Sequence, residues 1–171
     1  MTFSIAFALL ALMGAGQPAG SDASTALARL RTLQGSWKGT VFWTGARNET
    51  GEIAASYHVS GKGSVVIEDL LSADTPYMTT AYHLDGQDLR MTHYCAAGNQ
   101  PRLRASNIDL ARNVIRFDFV DATNLPAPDA PHVHGFMIHL VDADHLQLEF
   151  TFLAKGTESV EHIALTRVGS K

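Results

Sequence analysis

The chain has 171 residues, a net charge of −4, only 18% charged residues and a single cysteine. That length suits one domain, and a mature part of about 150 residues would bury close to 70% of its unfolded surface. With no basic stripe, nucleic acid is not an expected partner, and with one thiol no internal disulfide forms, so the core alone must hold the fold.

Residues 1–20 read as a secretory signal peptide. Ile5 to Met13 is an unbroken apolar run, followed by small residues from Gly14 to Gly20. The run is too short to span a bilayer, so no stable membrane insertion of the mature chain is expected, and the protein is predicted to be secreted or periplasmic. No Lys or Arg precedes the run, so a misassigned start or a short apolar extension is the alternative. The domain proper is predicted over 21–171.

Ser21 to Gln34 has helical spacing. Ser21 or Asp22 caps it, Ala26, Leu27, Leu30 and Leu33 form its apolar stripe, and Gly35 ends it. From Gly35 the period changes to two, with Trp37, Gly39, Val41 and Trp43 on one face. Further strands are predicted over 52–59, 64–71, 77–84, 89–95, 102–108, 114–120, 134–141, 146–153 and 159–168. Turn residues separate them, including Asp85-Gly86, whose conformational range suits a hairpin. Gly98 to Pro101 breaks the pattern, and Asp121 to His132, with three prolines, is the longest loop. About ten short strands joined by tight turns predict an all-β, antiparallel up-and-down barrel with a short N-terminal helix. Closure of such a meander removes its exposed edges.

Met91 to Arg104 concentrates polar, chemically capable residues. On a strand, Leu89, Met91, His93 and Cys95 share one face, and that face reads as inward. Asn99, Gln100 and Arg104 follow at the next turn and strand. His132 and His134, two positions apart, share a face and point to the same pocket, while His58, His83, His139 and His145 read as strand or turn residues outside it. Glu68 interrupts an apolar strand and needs a buried partner, with Arg104 or Arg102 as the candidate and Tyr82 sharing its interior. His93 and Cys95 lie about 6–7 Å apart on one strand, too far for a thiol–imidazole pair, which argues against cysteine catalysis.

The opening Leu33-Gln34-Gly35-Ser36-Trp37-Lys38-Gly39 resembles that of calycin barrels, in which Gly-x-Trp begins the first strand and an Arg on the last strand stacks on the Trp. Arg167 stands at that place. Residues 33–168 resemble bacterial lipocalin-like domains of unknown function and, more distantly, nitrobindin-type haem barrels. The resemblance implies a calycin-like barrel with Trp37 at its closed end. The expected function is binding of a small, partly apolar ligand, with Trp37, Glu68, Tyr82, His93, Cys95, Asn99, Gln100, Arg104, His132 and His134 as its ligand-binding residues. Two other readings stay open. A haem barrel acting on nitric oxide or peroxynitrite would use His162 as axial ligand, although His162 and Arg167 have opposite parity, so an inward Arg167 turns His162 outward. A metal-assisted hydrolase would use His132 and His134, with His93 or Cys95 as a third ligand.

Overall fold

The computed structural model describes residues 22–169, so the signal-peptide reading of residues 1–20, and Ser21 as helix cap, lie outside the described residues. One helix, α1 (Asp22–Arg31), precedes ten strands: β1 (Gly35–Gly45), β2 (Thr50–Ser60), β3 (Val65–Ser72), β4 (Thr75–Asp85), β5 (Asp88–Tyr94), β6 (Gln100–Asp109), β7 (Val114–Thr123), β8 (His132–Leu140), β9 (His145–Ala154) and β10 (Thr157–Arg167). Every strand pairs antiparallel with its sequence neighbours, and β10 returns to β1, so the meander closes into a barrel as the strand count and tight turns predict.

Alternation sets the core. Trp37, Ile53, Tyr57, Val66, Leu70, Tyr82, Met91, Leu103, Phe117, Phe136, Phe150 and Ile163 are buried, while their strand neighbours are more exposed. Ala23, Ala26, Leu27 and Leu30 of α1 are buried in the same core, where the helix packs on β3 to β6 and plugs one end of the barrel.

The seam between β1 and β10 is where the chain must close. Trp37 is fully buried and sits opposite Arg167 in the register. The Arg167 guanidinium lies 4.3 Å from the centre of the Trp37 ring, and its N–H groups donate to the carbonyls of Gln34, Thr32 and Ala143. The Trp37 indole N–H donates to the Leu33 carbonyl at 2.8 Å. A cation over an indole face, tied to the helix-to-strand turn, thus locks the first strand to the last. Gly39 is required by proximity: a Cβ there would sit 1.8 Å from the Ala164 carbonyl oxygen across the seam.

Two sequence expectations change. Strand β6 begins at Gln100 rather than Arg102, because the turn after β5 is tight: the Gly98 N–H donates to the Cys95 carbonyl, and the Cys95 N–H to the Asn99 carbonyl. On β6 it is Leu103 that faces inward, which turns Arg102 and Arg104 to the outer surface. There they pair with Asp121 and Asp88, so neither neutralises Glu68.

Candidate functional site

With α1 at one end, the turns at the other end surround a cavity of about 690 Å³. Its walls are Trp43 from β1, Met78 from β4, Val133 from β8 and Phe150 and Phe152 from β9. His93, Cys95, Tyr77, Glu161 and the rim residues Arg47, Glu49 and Pro131 add polar atoms. A second, more open hollow of about 600 Å³ lies along Lys38 to Val41 and the Ser72–Asp74 turn, and Tyr77 lines both.

Beneath the cavity runs a buried polar line. Tyr57, Glu68, Thr80 and His93 are successive register partners across β2, β3, β4 and β5, all facing inward. Both tyrosine hydroxyls, Tyr57 at 2.6 Å and Tyr82 at 2.8 Å, donate to the same Glu68 oxygen, Oε2, while Oε1 has no partner. Burial pushes the Glu68 carboxyl up to about 7, against the tyrosine and Thr80 hydroxyls that hold it down. The partners that Glu68 requires are therefore neutral hydroxyls rather than arginines. They meet it through sheet register, since Tyr57 stands directly across from it.

His93 ends this line. Its Nδ1 lies 2.9 Å from the Thr80 hydroxyl, its ring packs 5.1 Å from that of Phe150, and its Nε2 is buried without a hydrogen-bond partner. Burial lowers the imidazole to about 4, so it is neutral at pH 7. Cys95 also lines the cavity, and burial raises its thiol above the ordinary value, which makes it a poor thiolate nucleophile.

Sequence reasoning did not single out Glu161. It faces inward between Trp43 and Phe150, its register partners on β1 and β9, and its carboxyl has no hydrogen bond to another described residue. Burial pushes its carboxyl up to about 7; Arg47 pulls it down, and Glu49 and Glu68 push it further up. The signal was present in the alternation Ser159, Glu161, Ile163, Leu165, Arg167, in which an inward Arg167 makes Glu161 inward too. Arg47, in the turn after β1, lies with its guanidinium 4.2 Å from the Trp43 ring centre and 5.5 Å from that of Phe152.

The remaining predicted residues separate. Trp37, at the closed end, and Tyr82, in the core below the cavity, are fully buried and do not line it, so neither is placed to touch a ligand there. Asn99 is buried and donates to the Pro131 carbonyl at 2.8 Å, tying two rim turns together. Gln100 accepts from Thr123 on the rim. His132 and His134 do meet, Nε2 to Nδ1 at 3.2 Å, but both pack against Phe119 and do not line the cavity. His132 Nδ1 is 2.7 Å from the Ala130 carbonyl, and among the described residues no three His, Cys, Asp or Glu side chains are placed to share a metal ion. His162 lies on the outer face, stacked on Phe42, 3.1 Å from the Thr44 hydroxyl and 3.3 Å from Glu149, and so cannot ligate a haem inside the barrel. The parity of His162 and Arg167 decides this as expected, with no bulge between β1 and β10.

No protein-family model matches the chain, and no curated protein matches it in sequence. Among solved structures it is similar to Rv2717c from M. tuberculosis, with a TM-score of 0.56 at 18% identity, covering 84% of this chain and 98% of that one. It is also similar to a protein of unknown function of the DUF3598 family from Nostoc punctiforme, with a TM-score of 0.55 at 11% identity, covering 80% of this chain but only 48% of that one. At these identities the likeness is one of fold, a ten-stranded antiparallel barrel.

Proposed function

We propose that the protein is a calycin-like barrel that is exported and binds one small, partly apolar molecule in the cavity at its open mouth. The carrying observation is that cavity. Under the rim of turns opposite α1, about 690 Å³ is left between aromatic walls and a residue, His93, with a buried imidazole nitrogen without a partner. Small-molecule sites have this build: concave, mostly apolar, with a few polar groups that fix orientation. A buried polar atom left unpaired costs free energy that a ligand can recover. Neutral His93 and the raised Cys95 thiol favour a binding role over a nucleophilic one.

Native mass spectrometry of the untagged protein, taken from the exported fraction of its own host, tests this reading. The expected result is a chain shortened by its leader and carrying an organic adduct. Val133→Trp, which fills the mouth from β8, should keep a β-rich circular dichroism spectrum and lose the adduct. A full-length chain in the cell interior would overturn export, and a bare wild-type chain, or an adduct kept by Val133→Trp, would overturn binding at the mouth.

A further inference from the structure

We propose that the molecule taken by the mouth cavity is a small organic cation, an ammonium on an aromatic or aliphatic body, with Glu161 as its counter-ion and His93 Nε2 as a hydrogen-bond acceptor. This rests on the cavity-binding reading and adds the charge of the ligand.

The first support is geometric. Glu161 is only 5% exposed, faces the cavity and has no hydrogen-bond donor among the described residues. His93 brings a second unpaired group, Nε2, whose ring packs on Phe150, the register partner of Glu161. Thr80 has one hydroxyl proton, and its hydroxyl helps hold down the Glu68 pKa. In the tautomer whose Nδ1–H donates to the Thr80 hydroxyl, Nε2 presents a lone pair. The cavity wall then carries an acceptor at Glu161, with Nε2 buried just behind it, and an ammonium supplies the matching donors.

The second support is the aromatic wall. Trp43 and Phe150 flank Glu161, and Phe152 stands edge-on to Trp43 with ring centres 6.2 Å apart. Aromatic faces beside a carboxylate favour cations through the ring quadrupole. The wall already holds one: the Arg47 guanidinium lies over Trp43, half-exposed at the rim and 4.0 Å from Glu49. Arg47 is a tethered occupant of the mouth, and an incoming ammonium competes with it for the Trp43 face. An anionic ligand anchored by Arg47 is the opposite arrangement. The structure favours the cation because the inner groups, Glu161 and His93, accept while Arg47 is outermost and lies over Trp43 beside Glu49.

Glu161 is faced by Arg47 and Glu49 from the turn after β1, Tyr77 from β4, His93 and Cys95 from β5 and its turn, and Glu68 from β3. With its carboxyl pushed up to about 7, Glu161 shares its proton with solvent near neutrality, so a bound cation displaces that proton.

Calorimetry on the full chain at about pH 8 with three probes of one shape tests the inference: 2-phenylethylammonium, 2-phenylethanol and 3-phenylpropanoate. At that pH the amine, with a pKa of about 10, stays charged. The ammonium is expected to bind about tenfold or more tighter than either other probe. Glu161→Gln should reduce it to about the level of the alcohol, with an unchanged circular dichroism spectrum reporting an intact fold. Arg47→Gln should tighten ammonium binding, and lowering the pH to about 6 should weaken it as Glu161 takes up a proton. Equal binding of ammonium and alcohol, or an unaffected Glu161→Gln, overturns the cation inference and leaves the cavity-binding reading standing. Preference for the carboxylate probe, or weaker ammonium binding in Arg47→Gln, also overturns it. Failure of all three probes overturns both.

Discussion

Replacing Trp37 with alanine is expected to lower stability by about 3–5 kcal/mol, the usual cost of deleting a large buried aromatic side chain. Three contacts fail together. The indole is fully buried and packs edge-on against Tyr57 at 6.2 Å. Its N–H is the donor to the Leu33 carbonyl. Its face carries the Arg167 guanidinium that joins β10 and the helix-to-strand turn to β1. Arg167→Ala should cost less, because the ring and its burial survive. Urea denaturation of both variants checks this. A Trp37→Ala loss below about 1 kcal/mol, within the range of a surface substitution, would mean that the seam is not closed by this contact.

The second large effect is a pH dependence with opposing parts. Glu68 is raised in the folded state from 4.5 to about 7, so its contribution to stability is fully present below about pH 4.5 and is lost as the pH rises through about 7. A shift of that size corresponds to about 3 kcal/mol. Glu161, raised to a similar value, acts in the same direction. His93, lowered from 6.5 to about 4, acts oppositely: its contribution is present above about pH 6.5 and lost as the pH falls through about 4. Two falling terms against one rising term make the wild-type protein less stable at about pH 8 than at about pH 5. Glu68→Gln should remove about 3 kcal/mol of that decline, whatever it does to stability at a single pH. His93→Gln should steepen the decline. Denaturation midpoints across the range measure both, and an unchanged pH profile in Glu68→Gln would show that the carboxyl is not held protonated by burial.

The fold was largely legible because its signals are local. Period-two alternation from Gly35 onward, turns such as Asp85-Gly86, and the proline-rich 124–131 loop all act within a few residues. Pro101 misled the boundary of β6. The β5–β6 ladder spans only Arg90–Thr92 and Arg102–Arg104, so a residue without an N–H is tolerated at 101.

The site was legible only where parity alone decided it. His93 and Cys95 line the cavity and Trp37 closes the other end, as their alternation and motif imply. The same parity turns Arg104 outward beside Leu103 and turns Glu161 inward with Arg167, yet neither follows from the polar density of Met91–Arg104. What no local pattern carries is register: that Tyr57 stands across from Glu68, or that Arg47 folds back over Trp43. These depend on how strands align across turns, which alternation within a single strand does not set.

The most direct test of the central claim, a ligand site at the open mouth and not at the helix-plugged end, is an NMR experiment with methyl-labelled protein and 2-phenylethanol. Intermolecular contacts are expected from the probe to the methyls of Met78 and Val133. None is expected to those of Leu27 and Leu30 on the buried face of α1. Contacts at the helix end, or saturating probe without any contact at Met78 and Val133, would contradict the account.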